Sequence, residues 1–132
     1  MRTPCYCAAI RAASRKTTAI YDSALAPAGM TLAQYSLMRR IEYSGSLSLT
    51  ELGRLAELDR STVGRNVRVL EKLGLAQTSA AEDLREAAVS LTPAGAQALA
   101  AAEALWGDAQ RQVEAMLGIE GAKALRRLAA AL

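Results

Sequence analysis

The side chains best suited to chemistry are four cations between residues 60 and 72. They are Arg60, Arg65, Arg68 and Lys72. With Glu71 as the one acid of this segment, its net charge is +3 (four minus one). At about 100° per residue, Arg65, Arg68 and Lys72 share a helix face with Ser61. The opposite face carries Val63, Val67 and Leu70. Arginines arranged in this way can bind phosphate or fork onto guanine, which is the chemistry of a helix that contacts DNA.

The composition removes most enzymatic alternatives. None of the 132 residues is His, which excludes His-based metal sites and catalysis by Ser-His-Asp or Cys-His arrangements. Hydrophobic residues make up 52% and Gly and Pro are few, so we expect a globular, mainly helical fold. There is no apolar run long enough to cross a membrane and no signal-peptide pattern. We therefore expect a cytoplasmic protein that is not an enzyme, works away from membranes and needs neither metal nor cofactor.

Apolar periodicity and capping residues predict the elements that hold the basic segment. Six helices are expected: 7–25, from the cap at 31 to 44, 50–58, from the turn at 59–61 to 73, 93–118 and about 120–132. Thr31 and Gln34 match a capping box, and Gly74 suits the left-handed position that closes a helix. The helical period disappears after residue 74, and residues 76–79 and 87–91 predict a β-hairpin.

A short helix, a tight turn and a helix with a cationic outer face form the pattern of a helix-turn-helix. For an isolated helix a merely solvated basic face is the simpler explanation, but the following hairpin favours a winged DNA-binding lobe over 31–92. Helices in 1–30 and 93–132 carry more apolar surface than this lobe can cover, so we expect them to form a homodimer. The predicted fold is mainly α with a small β-hairpin wing, in one domain over 1–132.

Four motifs follow one another through the middle of the chain. They are Leu58-Asp59-Arg60-Ser61-Thr62-Val63, Leu70-Glu71-Lys72-Leu73-Gly74-Leu75, Asp83-Leu84-Arg85 and Val89-Ser90-Leu91-Thr92-Pro93-Ala94-Gly95. Together with the order of the helices, these motifs resemble the MarR family of winged helix-turn-helix transcriptional regulators over nearly the whole chain. The resemblance implies a homodimeric repressor that binds pseudo-palindromic double-stranded DNA and is released by a small phenolic ligand or by an oxidant.

The helical wheel and the resemblance together predict nine DNA-contacting residues. They are Arg60, Ser61, Thr62, Arg65, Asn66, Arg68, Lys72, Asp83 and Arg85. Arg85 at the tip of the wing can enter a narrow minor groove, with Asp83 orienting its guanidinium. An exposed ion pair without function is the alternative for these two residues. Family members commonly carry arginine in the strand after the recognition helix, where this chain has Gln77, Thr78 and Ser79, so the helix cations must contribute more.

The two cysteines suggest a redox trigger. Cys7 lies at the predicted start of the first helix, where backbone amides favour the reactive thiolate. Tyr21 follows fourteen positions later, which resembles the organic hydroperoxide repressors of the family. Along one helix this spacing is about 21 Å, so the two side chains could meet only across an antiparallel dimer.

Cys5 could act as resolving thiol only between chains, and buried packing is the alternative for both thiols. Other tyrosines of those repressors have no counterpart, because Arg11 and Leu32 stand at the matching positions.

An aromatic carboxylate is the alternative effector. The predicted pocket between the dimer helices and the DNA-binding lobe is lined by Arg11, Ser14, Tyr35, Met38 and Arg39. For Tyr35 and Met38, which lie in an apolar stripe, a place in the core is the simpler explanation. Two other functions stay open at this point: a helical dimerisation module that does not bind DNA, and a thiol peroxidase using Cys7.

Overall fold

The computed structural model describes residues 2–79 and 87–132. In these ranges the chain forms α1 (Tyr6–Leu25), α2 (Leu32–Ser44), β1 (Leu47–Ser48), α3 (Leu49–Ala56), α4 (Arg60–Lys72), β2 (Ala76–Thr78), β3 (Ala88–Leu91) and α5 (Pro93–Ala131). A short 3-10 turn, Ala26–Ala28, separates α1 from α2. The mainly helical chain with a small sheet confirms the predicted fold class.

Side-chain caps determine where α2 and α3 begin. The capping box predicted for α2 is present, since Gln34 N donates to Thr31 Oγ1 at 3.2 Å and Thr31 N donates to Gln34 Oε1 at 3.0 Å. Ser48 caps α3 by accepting a hydrogen bond from a backbone amide. The helix therefore begins at 49, one residue before the predicted start, and it ends at 56 because Glu57 adopts a left-handed φ of 54°.

A Schellman motif ends α4 as the sequence predicts. Gly74 has a φ of 74°, its amide donates to the carbonyl of Glu71, and the amide of Leu75 donates to the carbonyl of Leu70, each at 2.9 Å. This turn directs the chain from α4 into β2.

The start of α5 is joined to the same turn. The amide of Thr92 donates to the carbonyl of Leu75 at 3.1 Å, and the Thr92 hydroxyl donates to the carbonyl of Gly74 at 2.6 Å. Gly95 approaches the turn so closely that a Cβ there would lie 1.9 Å from the carbonyl oxygen of Leu75. Only glycine fits this contact.

The sheet has three antiparallel strands in the order β1-β3-β2. Leu47 pairs with Val89, and Ala76 pairs with Leu91. The predicted hairpin of β2 and β3 is present, but the prediction missed β1, whose two residues are too few to show a period. The predicted wing-tip contacts Asp83 and Arg85 fall in 80–86, outside the described residues.

The core lies between α2, α3, α4, the first part of α5 and the sheet. Its fully buried large side chains are Tyr35, Leu25, Met38, Ile41, Leu52, Leu70, Val63 and Val89. The apolar face predicted for α4 is confirmed, because Val63, Val67 and Leu70 are at most 2% exposed. Burying this face leaves the opposite, cationic face of α4 towards solvent.

The two ends of the chain leave apolar side chains exposed. They are Tyr6 and Ile10 of α1, and Met116, Leu117, Ile119, Leu125, Leu128 and Leu132 at the end of the chain. Gly118 breaks α5 with φ 71° and ψ 171°, where the sequence predicts a boundary, and Arg126 pairs with Glu114 across the break at 3.3 Å. None of the helices in 2–79 and 87–132 combines the length and apolar character needed to cross a membrane.

Replacing Gly95 by alanine tests the junction between α4 and α5. The added methyl group must push Leu75 or α5 aside, so we expect Gly95→Ala to lower the free energy of unfolding by about 1–3 kcal/mol, as overpacking does. Urea unfolding followed by circular dichroism measures this change. Gly107→Ala is the control, because among the described residues its Cβ would meet only the end of the Arg111 side chain. Equal stability of Gly95→Ala and wild type would contradict the close contact.

Candidate nucleic-acid interface

The outer face of α4 gathers most of the predicted DNA contacts. Arg60, Ser61, Arg65, Arg68 and Lys72 are all exposed. They extend over twelve helical steps, or about 18 Å along the axis, which is the scale of a helix lying in a major groove. Such a row of donors can reach both phosphates and base edges.

Asp59 organises the first turn of α4. Its Oδ1 accepts hydrogen bonds from the Ser61 hydroxyl at 2.7 Å and from the Thr62 amide at 2.8 Å, and its Oδ2 accepts from the Thr62 hydroxyl at 3.0 Å. These hydrogen bonds, that from Ser61 first, lower the pKa of Asp59 from 3.8 to about 2. The carboxylate therefore caps the helix and orients two of the side chains predicted to contact DNA.

Two arginines of this face are held by the helix itself. Arg65 Nη2 donates to Thr62 Oγ1 at 3.3 Å, which extends the network of Asp59, and Arg68 Nε donates to the carbonyl of Gly64 at 3.3 Å. Both guanidinium groups stay on the exposed side. Partial preordering reduces the conformational entropy that they lose on binding.

Asn66 is not part of the outer face. It lines a groove between α2 and α4 together with Gln34, Leu37 and Val69. The structure therefore separates Asn66 from Ser61 and the exposed cations of α4, since position 66 falls about 140° from Ser61 on the helical wheel.

A side-chain hydrogen bond joins α4 to the wing. The hydroxyl of Thr78 in β2 donates to Glu71 Oε1 near the end of α4. The sequence indicates Glu71 only as the acid that reduces the local charge. The contact gives Glu71 a second role, because it joins β2 to the end of α4 after the turn at Gly74.

A second candidate site is a cleft of about 450 Å³ between α2, α3 and α5. It is lined by Tyr35, Ser36, Arg39, Arg40, Tyr43, Ser44, Leu55 and Trp106. The ring of Tyr35 stacks on Trp106 with centroids 5.9 Å apart, and Arg39 Cζ lies 5.2 Å from the Trp106 centroid and 5.7 Å from that of Tyr35. A cation over two rings is suited to an aromatic anion.

Only part of the predicted effector pocket comes together in this cleft. Tyr35 and Arg39 line it, whereas Met38 is fully buried in the core and Arg11 and Ser14 are exposed on α1. Sequence analysis missed Trp106, which helix periodicity marks only as one apolar position among many.

The predicted redox residues lie at opposite ends of α1. Cys5 is the N-cap residue and Cys7 lies in the first turn, and both thiols are exposed. Buried packing within one chain, the alternative weighed for them, is therefore wrong. Tyr21 donates a hydrogen bond to Gln110 Oε1 of α5, and its ring lies 6.5 Å from that of Trp106.

The two phenols stay protonated in neutral solution. Burial raises the pKa of Tyr21, with a further contribution from Glu114. Burial also raises the pKa of Tyr35, although Arg39 partly opposes this effect. Both hydroxyl groups therefore keep their protons, and that of Tyr21 is donated to Gln110.

Comparison with known proteins agrees with this geometry. The model of the MarR family matches residues 28–86. A probable transcriptional regulator from Pseudomonas aeruginosa is 32% identical, with a TM-score of 0.85 over 95% of this chain and 94% of that one. The M. tuberculosis transcriptional regulator MosR, in a complex with DNA, is also 32% identical, with a TM-score of 0.85 over 96% of this chain and 92% of that one. No curated protein sequence matches.

A cysteine-to-serine mutant of MarR from E. coli, complexed with operator DNA, shares the fold at 22% identity, with a TM-score of 0.83 over 92% of this chain and 88% of that one. The winged helix-turn-helix and these similarities define the class of protein as a DNA-binding transcriptional regulator. The chain belongs to the MarR family.

The cap of α4 predicts a specific pH dependence. A carboxyl group with a lowered pKa stabilises the fold above its unfolded pKa of 3.8, and this contribution is lost as the pH falls to about 2. We expect wild type to unfold at a higher temperature than Asp59→Ala at neutral pH, with the difference shrinking between pH 4 and pH 2. Asp59→Asn is the control, because its amide oxygen can cap the helix without titrating. A difference independent of pH would contradict a role for the carboxylate.

Proposed function

We propose that the chain is a homodimeric repressor whose two α4 helices enter successive major grooves of a pseudo-palindromic operator. The exposed cationic face of α4 is the observation that carries this proposal. Phosphate contacts give affinity and base contacts give specificity, so the cationic face of α4 must contact both phosphates and bases. In this proposal residues 31–92 are the DNA-binding lobe, and 1–30 and 93–132 form the dimer arms.

The exposed apolar side chains at the chain ends support the dimer. Met116, which precedes the break at Gly118, is 66% exposed, and Ile119, which follows it, is 76% exposed. In an isologous two-fold interface, a second copy of the chain would cover this apolar surface with the same surface of its own chain ends. The two-fold axis would then relate the two α4 helices, which accounts for a pseudo-palindromic operator.

The residues of α4 divide between positioning and base recognition. Arg65 and Arg68, near the middle of the face, are proposed to reach base edges, while Arg60 and Lys72 at its ends contact phosphates. Arg85, with Asp83, is proposed to enter the minor groove from the wing. No catalytic step forms part of this proposal.

The cleft beside Trp106 supports a small aromatic acid as effector. Arg39 would pair with the carboxylate, and Tyr35 and Trp106 would face the ring. Leu55 of α3 and Trp106 of α5 line the same cleft. A ligand between them would change the angle between the DNA-binding lobe and the dimer arm, and thereby the spacing of the two α4 helices.

Oxidation of Cys7 is the second candidate trigger, supported by its exposure in the first turn of α1. The thiolate would attack an organic peroxide, the O–O bond would break, and sulfenic acid and the alcohol would form. Condensation with Cys5 of the partner subunit would then release water and give a disulfide. Either product would change the dimer arms where Tyr6 and Ile10 are exposed.

Alanine substitutions on α4 test the DNA-binding proposal. We expect Arg65→Ala or Arg68→Ala to weaken binding to a duplex selected from random DNA by about 1–3 kcal/mol, and wild-type affinity to fall steeply as salt rises. Fluorescence anisotropy measures both effects, and sedimentation of the same sample should give a dimer. Arg111→Ala is the control, since it removes one exposed charge from α5. If the double variant Arg65→Ala with Arg68→Ala bound the selected duplex with wild-type affinity, the proposal would be refuted.

Two probes separate the candidate triggers. Benzoate should release wild type from the selected duplex and quench the emission of Trp106, the single tryptophan. With Arg39→Gln, benzoate should cause neither release nor quenching. Cumene hydroperoxide should release wild type but not Cys7→Ser, and Cys5→Ser should change the final oxidised product more than the initial response. If peroxide releases Cys7→Ser as readily as wild type, the redox trigger is wrong. If benzoate releases Arg39→Gln normally, the effector does not use this cleft.

A further inference from the structure

Gly64 lies on the cationic face of α4, where no contact among the described residues requires a glycine. A glycine inside a helix makes the helix less stable than alanine does. A Cβ at position 64 would meet, among the described residues, only Arg68 Nη2 at 3.5 Å, which is an ordinary contact with the end of a flexible side chain. Gly95 differs, because a Cβ there would collide with backbone. The described residues thus leave room for a side chain at position 64.

The absent side chain opens a depression on the face that we propose to meet DNA. Five residues line it: Leu49, Arg60, Ser61, Gly64 and Arg68. Leu49, the first residue of α3, is half-buried and supplies an apolar side chain, while Arg60 and Arg68 are exposed. The depression thus combines an apolar surface and bare helix backbone with two cations.

Only one group in the major groove matches an apolar depression. The base edges there present hydrogen-bond donors and acceptors, with the C5-methyl group of thymine as the exception. The two cations beside the depression suit the neighbouring guanine edges or phosphates. We propose that Gly64 and Leu49 form a pocket for a thymine methyl group and so determine one base pair of each half-site. The inference rests on the proposed insertion of α4 into the major groove.

An alanine at position 64 would occupy the space assigned to the thymine methyl group. Because alanine favours the helix, Gly64→Ala should fold at least as well as wild type, and any loss of DNA binding then reports on the contact itself. The two methyl groups, one on the protein and one on the base, compete for one volume.

Removing single methyl groups from the DNA tests the pocket. Each thymine of a duplex selected from random DNA is replaced in turn by deoxyuracil, which lacks only the methyl group. We expect one thymine in each half-site at which wild type binds the uracil duplex about fourfold more weakly, equivalent to burying one methyl group at about 0.8 kcal/mol. Gly64→Ala should bind the thymine duplex more weakly and should no longer distinguish thymine from uracil at that position.

Gly107→Ala is the matched control. Its Cβ would also meet only an arginine end, Arg111 Nη1 at 3.5 Å, but it lies on α5. This variant should keep the wild-type preference for thymine. Equal binding of all uracil duplexes by wild type, or an unchanged thymine preference in Gly64→Ala, would overturn the pocket while leaving DNA recognition by α4 intact. If the selection enriches no sequence at all, the proposed function fails as well.

Discussion

The backbone contact between the start of α5 and the turn after α4 is the constraint on which the arrangement depends. Gly95 touches the carbonyl of Leu75 where no side chain fits, and Thr92 bonds to both residues of the turn through its amide and its hydroxyl. Since α4 carries the cationic face and α5 continues to the exposed apolar end of the chain, this junction connects the surface proposed to bind DNA to the surface proposed to form a dimer. The junction therefore fixes the start of α5 against the turn that ends α4.

The cleft beside Trp106 forms the second connection between α5 and the lobe, and it differs in kind. At the Gly95 junction backbone meets backbone without space, whereas the cleft leaves about 450 Å³ between α2, α3 and α5. Arg40 joins α2 to α3 by donating to the carbonyl of Leu55 at 3.2 Å. The cleft is therefore the open part of a contact that Leu99 and Ala102 of α5 otherwise close within the core.

Local signals in the sequence were sufficient for most helices but not for the sheet. The Thr31 cap and Gly74 act on residues within one turn of the chain, so their effect is visible without the fold. Strand β1 depends on Leu47 meeting Val89, forty-two positions later (89 − 47), and two residues carry no period of their own. The start of α3 was misplaced by one residue for the same reason, because Ser48 serves as both strand and cap.

For the candidate sites too, the sequence predicts what one helix carries by itself and misses what depends on contacts between elements. The glycines are the clearest example. A helical wheel predicts the cationic face of α4 because one helix carries it, but the wheel does not show that Asn66 faces α2 or that Trp106 stacks on Tyr35. A glycine gives the wheel no side chain to place at all. Gly95 and Gly64 differ in their surroundings, since backbone excludes a Cβ at position 95, whereas at position 64 a Cβ would meet, among the described residues, only the end of the Arg68 side chain. Gly95 is explained by the fold itself, whereas the explanation proposed for Gly64 is the contact of α4 with DNA.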